Sequence, residues 1–220
     1  MQKATLQPLA LAAMLAVAAL AGCSKQLDPS PEHAASAVAP APTQASDAAA
    51  QQAKQQAIEL AQAEQDIAAD PHGQWALSAQ ASSAYNAAQE QASYAPWQAT
   101  GAPNVQRYGD DGHAWAPQEP GGGTEWLQVA FASPVHATEI RIRQNNAPGA
   151  IAKIELIDDN NTAYTVFEGS DTTRYPANRI VWFRQAFAKT AYAVTAAKIT
   201  LATGAVSGPT EIDAVQLIGE

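Results

Sequence analysis

The stretch Glu139-Ile140-Arg141-Ile142-Arg143 alternates polar and apolar side chains without a break. The stretches Lys153-Ile154-Glu155-Leu156 and Lys198-Ile199-Thr200-Leu201 repeat this pattern. A two-residue period is typical of a β-strand that buries one face and exposes the other. The three stretches therefore predict strands of a sheet that covers a hydrophobic core.

Further segments of strand-like composition lie on both sides of these three. They are residues 74–82, 113–116, 125–132, 163–168, 180–187 and 210–218. Turn-forming residues separate them, as in Pro120-Gly121-Gly122-Gly123 and Asp158-Asp159-Asn160-Asn161. About nine short strands with no helical pattern between them predict an all-β domain, an antiparallel β-sandwich, over residues 74–220.

The N-terminal residues have the composition of an export signal. Lys3 supplies a positive start, and an uncharged apolar run follows over residues 9–20. Cys23, the only cysteine of the chain, closes the string Leu20-Ala21-Gly22-Cys23. This string resembles the lipobox of bacterial lipoproteins, in which the cysteine thiol receives a diacylglyceryl group. The resemblance implies a signal peptide at 1–22 and a covalent lipid on Cys23; the alternative is an ordinary secretory signal and a buried free thiol.

The same resemblance has consequences for localisation. The apolar run is shorter than the roughly 20 residues that a spanning helix needs, whereas more than one acyl chain gives stable membrane residence. Ser24 follows the cysteine, and in the best-known lipoprotein sorting systems serine at this place permits export to the outer membrane. We therefore expect a lipid-anchored protein of the bacterial envelope, in the outer membrane.

Charge and cysteine content exclude several classes of function. The chain has 12 Lys plus Arg against 21 Asp plus Glu, a formal net charge of −9. Such a surface is a poor match for nucleic acid or for anionic headgroups. With one cysteine no internal disulfide can form, so the domain depends on its own core.

Between the signal and the predicted strands lies a linker of two parts. Residues 23–47 are rich in proline and poor in large apolar side chains, which predicts a disordered tether. Residues 48–70 are rich in alanine and glutamine, which predicts a helix with Asp47 as N-cap and Asp70-Pro71 as its end. Its large apolar side chains form no continuous stripe, so we expect a solvated helical spacer, with a weak coiled-coil contact as the alternative. These side chains are Ile58, Leu60 and Ile67.

Five short segments occur in an order found in a known fold. They are residues 98–104, residues 108–111 with Trp115, residues 125–129, residues 139–142 and residues 211–215. In this order they resemble the discoidin-like, galactose-binding-like jelly rolls, over roughly residues 75–219. The sequence departs from that pattern at residues 157–164, where many members have Ser-x-Asp-Gly-x-x-Trp, and it lacks the cysteine pair of many eukaryotic members.

The resemblance also implies a candidate metal site. Many members of the family hold a structural calcium in the loop before the strand that corresponds to Trp115. The matching positions here are Asn104, Asp110, Asp111 and Glu211, and oxygen ligands of this kind suit calcium. The alternative is that Asp110 and Asp111 form a solvated turn and that Glu211 is an exposed strand residue.

The sequence contains no pattern typical of an active site. His113 and His136 are the only histidines of the predicted sandwich, and no Gly-x-Ser-x-Gly or His-x-x-x-His motif occurs. We therefore expect a protein that is not an enzyme.

Ligand binding is the better expectation, because sandwiches of this kind present loops at one end. Sugars are held by an exposed aromatic ring together with planar polar groups. The candidate residues are Tyr108, Asn145, Asn146, Arg174 and Tyr175. For each one the alternative is a loop-packing or solvated residue, and Trp115, Trp126 and Trp182 are expected in the core. The predicted partner is a glycan of the envelope or the surroundings, and the alternative is an envelope protein bound by an assembly or adaptor lipoprotein.

Overall fold

The computed structural model describes residues 44–220 except 87, 88 and 90. The predicted signal peptide, Cys23 and nearly all of the tether lie outside the described residues. Among the residues described, no helix combines the length and the apolar character needed to cross a bilayer.

A long helix precedes the strands. It is α1 (Gln44–Ala68). Because α1 begins before Asp47, this aspartate lies in its first turn and not at the N-cap, where the sequence had placed it. A carboxylate in the first turn still interacts favourably with the helix dipole. The helix ends just before Asp70-Pro71, as predicted.

Eight strands make up the rest of the fold in the described part of the chain. They are β1 (Gly73–Ala81), β2 (Thr124–Val135), β3 (Ala137–Asn146), β4 (Ile151–Asp158), β5 (Ala163–Glu168), β6 (Val181–Ala186), β7 (Val194–Ala202) and β8 (Glu211–Gly219). The strand order is β5-β4-β7-β2-β1-β8-β3-β6, and every named pair is antiparallel. The predicted all-β antiparallel β-sandwich is confirmed.

Strand β1 belongs to both halves of the sandwich. Its first residues, from Gly73 to Trp75, pair with β8, and from Ala76 onward it pairs with β2. The register shifts between Ala76 and Ser78, which is the mark of a β-bulge. Since a bulge bends its strand, β1 can pass from one half to the other.

The two halves enclose the core between them. Phe167 of β5 and Phe183 of β6 lie at opposite ends of the strand order, yet their ring centroids are 5.1 Å apart at an interplanar angle of 72°. The outermost strands therefore meet across the core. The apolar residues of the alternating stretches, which include Ile140, Ile142 and Ile199, are 0 % exposed, as their two-residue period predicts.

The prediction of a strand at residues 113–116 and the prediction that Trp126 lies in the core both need correction. Residues 113–116 form no strand; only an isolated bridge joins Trp115 to Ile212. Trp115 is fully buried, as expected. Trp126 is only half-buried, and the ammonium of Lys198 lies 4.8 Å from its ring centroid, so this ring is on the outer face of β2.

The end of α1 packs against the sandwich, so the prediction of a solvated spacer is wrong for this part. Ile67 is 6 % exposed, and its carbonyl accepts a hydrogen bond of 2.9 Å from Nε2 of Gln216. Glu64 accepts two hydrogen bonds from Arg143, from Nε at 2.9 Å and from Nη2 at 3.0 Å. Docking therefore depends on polar groups spaced along the helix, which a search for an apolar stripe cannot detect.

Arg143 is the centre of a buried polar network. Its Nη1 donates to the Asp213 carboxylate and, at 2.8 Å, to the carbonyl of Val105. Asp213 also accepts hydrogen bonds from the backbone N–H groups of Asn104, at 3.2 Å, and Val105, at 3.3 Å. The network thus joins β3, β8, α1 and the loop at residues 104–105.

Replacing Arg143 with methionine is expected to lower the free energy of unfolding by about 3 to 5 kcal/mol, because the Asp213 carboxylate would stay buried without its cation. Arg184→Met is the matched control: Arg184 pairs with Glu139, but its side chain is 54 % exposed, so a loss of about 0 to 1 kcal/mol is expected. Urea unfolding of the full chain measures both. Equal losses in the two variants would contradict a central role for Arg143.

Candidate functional site

A groove runs between α1 and the loop that leads into β6. Its wider part is a cleft of about 590 Å³, and its narrower part has a volume of about 310 Å³. The two parts share Leu60, Arg179 and Ile180, so we treat them as one feature, the α1 groove. The groove exists only because α1 is docked, since the helix forms one wall throughout.

Three of the five predicted ligand residues lie in the α1 groove. Tyr108 lines the narrower part, where its ring also packs against a small apolar cluster that includes Val105 and Ile180. Arg174 and Tyr175 line the wider part. Segments far apart in the sequence therefore bring these side chains to one surface.

Asn145 and Asn146 do not join them. Both lie at the end of β3 and not in a loop; Asn145 is 0 % and Asn146 9 % exposed. Their side-chain amides donate to the carboxylate of Glu211. In this position they are structural residues, and neither offers a surface to a ligand.

The polar groups of the wider cleft are held in defined positions. The hydroxyl of Tyr175 donates to Oδ2 of Asp171 at 2.7 Å, and burial raises the pKa of Tyr175, so the phenol stays a neutral donor. Arg179 donates from Nη2 to Oε1 of Gln56 on α1 at 3.2 Å. Arg174 is exposed at the rim. The cleft therefore offers a fixed aromatic ring beside guanidinium groups.

Trp182 is the groove residue that sequence reasoning missed. Its indole lines the wider cleft, half-buried, with its ring centroid 6.2 Å from that of Trp75. The Nε1 atom is buried and has no hydrogen-bond partner among the described residues. The signal was present in the alternation of β6: Val181 and Phe183 point inward, so Trp182 points outward. A buried N–H without an acceptor is costly, so the indole ring, and not its N–H, is the part of Trp182 that the cleft exposes.

The four predicted metal ligands separate into two places. Asn104 lies beside Asp213. Asp110, Asp111 and Glu211 lie near one another: the backbone N–H of Asp111 donates to Oε2 of Glu211 at 3.1 Å, and Asp110 and Glu211 line the same small pocket. Glu211 is 0 % exposed, so it is not the solvated strand residue of the alternative interpretation.

The groups that face the Glu211 carboxylate are N–H hydrogen-bond donors, which do not fit a calcium ion. Its carboxylate faces the N–H groups of Asn145, Asn146 and Asp111. The side-chain amide of Asn145 also donates to the carbonyl of Gly109 at 3.0 Å, so a nitrogen lies between two oxygens that a cation would have to bridge. Calcium takes 6 to 8 oxygen ligands, and in this arrangement three N–H groups occupy the Glu211 carboxylate oxygens that such an ion would need.

Burial affects the protonation of the Glu211 carboxyl. Burial raises the pKa of Glu211 to about 7, and the neighbouring Asp110 carboxyl adds to the effect, whereas the amides of Asn146 and Asn145 oppose it. At neutral pH the carboxyl is therefore close to half-protonated, which reduces the cost of enclosing it.

Comparison with known proteins identifies one family. The family described as pappalysin-1, SD scarf domain, C-terminal, matches residues 64–220, most of the chain, starting within α1. No curated protein matches the chain.

Three solved structures illustrate the similarity in shape. Chitosan-binding module 1 from a chitosanase/glucanase of Paenibacillus sp. IK-5 is 17 % identical, with 64 % of this chain and 94 % of that chain covered, at a TM-score of 0.45. The family 32 CBM of C. perfringens NanJ, in complex with galactose, is 18 % identical, with 66 % and 98 % covered, at 0.45. A Ruminococcus gnavus GH29 fucosidase in complex with fucose is 16 % identical, with 70 % of this chain covered but only 26 % of the fucosidase, also at 0.45. At TM-scores of 0.45, these similarities carry no information about the ligand of this chain.

The raised pKa of Glu211 predicts how stability changes with pH. The folded state binds this proton more tightly than the unfolded chain, whose ordinary value is 4.5. The stabilisation is therefore complete below about pH 4.5 and is lost as the pH rises through about 7. We expect the thermal unfolding midpoint to fall between about pH 5 and about pH 8, and Glu211→Gln to flatten that fall.

A chelator serves as the control for this measurement. Because amide groups and not a calcium ion surround Glu211, EDTA is expected to leave the thermal unfolding midpoint unchanged. A bound calcium would instead lower the pKa of Glu211, so that stability rose with pH and EDTA lowered the midpoint. That pattern would contradict the arrangement described here.

Proposed function

The chain belongs, over residues 64–220, to the pappalysin-1 SD scarf domain, C-terminal, family, and we propose that this domain is a non-catalytic glycan-binding module held at a bacterial membrane by a lipid on Cys23.

The chemistry of the α1 groove is the observation that carries the glycan proposal. A sugar ring presents an apolar face and a rim of hydroxyls, which together need an aromatic surface and fixed polar groups. The wider cleft supplies the rings of Tyr175 and Trp182 and the guanidinium groups of Arg174 and Arg179. Its volume of about 590 Å³ lies within the usual range for small-molecule sites.

The residues of the groove also favour binding without catalysis. The described residues that line it include no histidine, cysteine or serine. Glu64, its most buried acid, is held by Arg143. A base held by a bidentate guanidinium is poorly placed to accept a proton.

The anchor is the part of the proposal that rests on sequence alone. The apolar run, the Leu20-Ala21-Gly22-Cys23 string and Ser24 support a lipid on Cys23 and an outer-membrane location. In that arrangement the tether links the lipid to α1; because α1 begins at Gln44, the tether ends at residue 43 and not at residue 47 as the sequence predicts. The groove would then face the periplasm or the cell surroundings at the reach of this tether.

A protein partner is the second candidate. Leu77 on β1 is 69 % exposed, and Trp97 is 45 % exposed on the short helix Pro96–Ala99, which packs against β1. A contiguous apolar patch marks a site where another protein docks, and these two side chains on neighbouring elements are the candidates for such a patch. In this alternative the chain is an adaptor or assembly lipoprotein of the envelope.

The groove proposal is tested by glycan-array binding and titration of the best sugar. Arg174→Ala, Tyr175→Ala and Trp182→Ala are expected to weaken binding by about tenfold each, since a hydrogen bond to a charged group or a stacked ring contributes about 1 to 3 kcal/mol. Arg107→Ala is the matched control, because Arg107 is exposed but does not line the groove. No sugar signal, together with a protein crosslinked to Trp97 or Leu77 in cells, would replace the glycan proposal by the adaptor alternative.

The anchor is tested separately. Mass spectrometry of the native protein is expected to find an acylated N-terminal cysteine at position 23, and Cys23→Ser is expected to move the protein from the membrane to the soluble fraction. Since Cys23 is far from the groove in sequence and the groove residues are untouched, sugar binding by Cys23→Ser should be unchanged. An unmodified Cys23 thiol in the native protein would contradict the anchor while leaving the groove proposal intact.

A further inference from the structure

A second pocket, distinct from the α1 groove, has Glu211 among its lining residues. We call it the tyrosine pocket; its volume is about 160 Å³. It is lined by two tyrosines, three prolines, one alanine and two acids: Tyr85, Tyr94, Asp110, Ala116, Pro117, Pro120, Pro209 and Glu211. None of these residues lines the groove, so the pocket is independent of the proposed glycan site.

The two tyrosines form perpendicular walls. Their ring centroids are 5.2 Å apart, and the ring planes meet at 82°. Backbone hydrogen bonds hold both residues: Tyr85 N donates to Ala116 O at 3.0 Å, and Tyr94 N donates to Gly112 O at 3.0 Å. Tyr85 is nevertheless 61 % exposed, so its ring lies at the surface, with its edge-to-face contact to Tyr94 on one side.

The charge at the pocket is negative. Asp110 and Glu211 are its two charged lining residues, and no lysine or arginine is among the described residues that line it. The hydroxyl of Tyr94 donates to Oδ1 of Asp110 at 2.8 Å. This hydrogen bond raises the pKa of Tyr94 to about 12, as expected beside a negative carboxylate.

Aromatic faces beside a carboxylate favour a cationic ligand. The hydrogen-bond acceptors of the pocket then decide between a primary ammonium and a methylated one. The Glu211 oxygens already accept hydrogen bonds from three N–H groups, and Oδ1 of Asp110 accepts from Tyr94. A primary ammonium needs acceptors for three N–H donors; Glu211 is fully buried, and apart from Asp110 and the two phenols the other lining side chains are three prolines and an alanine, which accept no hydrogen bond. A methylated ammonium needs none, because its methyl groups contact apolar walls and its charge is attracted by ring faces.

We propose that the tyrosine pocket binds the methylated ammonium group of a small organic cation, with Tyr85 and Tyr94 as its aromatic walls and Asp110 as its counter-charge. Such a group occurs on free choline-like solutes and on choline headgroups of lipids. The proposal concerns a site other than the α1 groove and does not depend on glycan binding.

The test is a titration of the full chain carrying Cys23→Ser, so that no acyl chain contributes to binding. Tetramethylammonium chloride and choline chloride are expected to bind saturably by calorimetry. Methylammonium chloride should bind several-fold more weakly, and the neutral isostere 3,3-dimethylbutan-1-ol should not bind measurably. Equal binding of the neutral alcohol, or no saturable binding of either quaternary ammonium, would overturn the proposal.

Variants assign the binding to this pocket. Tyr85→Ala and Asp110→Asn are expected to weaken tetramethylammonium binding by about 2- to 30-fold, the range that corresponds to about 0.5 to 2 kcal/mol for a cation on an aromatic ring. Trp97→Ala is the matched control, an exposed aromatic residue outside the pocket, and should bind as the parent does. Thermal unfolding midpoints show whether each variant is folded; folded Tyr85→Ala with undiminished affinity would also overturn the proposal.

A competition experiment distinguishes a lipid headgroup from a soluble cation as the source of the methylated ammonium group. Phosphatidylcholine vesicles that compete with tetramethylammonium, where phosphatidylglycerol vesicles do not, would identify a lipid headgroup as a ligand. Competition by free choline without competition by vesicles would identify a soluble cation. Both results support the same chemistry in the pocket.

Discussion

The buried pair of Arg143 and Asp213 is the interaction on which the arrangement of the sandwich, the helix and the groove depends. The guanidinium is 5 % exposed and the carboxylate 0 % exposed, each as a side chain. Charges removed from water to this extent remain only where their hydrogen-bonding capacity is filled. Here it is filled by Glu64 from α1, the carbonyl of Val105 and two backbone N–H groups. The planar fork of arginine suits this role, because it serves Glu64 along one edge and the interior along the other.

The α1 groove follows from this network. A helix held by polar contacts near its end can leave space between its earlier turns and the sheet, whereas an apolar stripe would close that space. The groove lies beside the small side chains of Ala57 and Ala61, and Leu60 is the one large apolar side chain of α1 among the residues that line it. Its aromatic wall comes from the outer face of β6, through Trp182.

The strands were predictable because their cause is local. Alternation along each stretch records which side chains face the core, and burial of Ile140, Ile142 and Ile199 agrees with it. The docking of α1 was not predictable in this way, because it depends on Glu64 meeting an arginine that lies 79 positions away in the chain. Residues 113–116 form no strand because only Trp115 pairs with β8; the backbone N–H groups of Ala114 and Ala116 donate instead to the carbonyls of Asp111 and Tyr94.

The site was only partly predictable. Residue type pointed correctly to Tyr108, Arg174 and Tyr175 as neighbours of a concave surface. The same reasoning failed for Asn145 and Asn146, because asparagines before Pro148-Gly149 are typical of a turn, yet β3 continues through them to reach Glu211. Trp182 was assigned to the core because it lies inside a predicted strand, although the alternation of that strand places it outside.

The double membership of β1 bears on how the domain carries mechanical load. Tension arriving from the N-terminal side enters through α1 and reaches the sandwich at β1, which is hydrogen-bonded to β8 at its start and to β2 beyond the bulge. Force applied along a strand that is paired first with one neighbour and then with another acts on several hydrogen bonds at once, in shear, and does not peel them one at a time. A module loaded in this direction resists extraction better than one pulled by an edge strand.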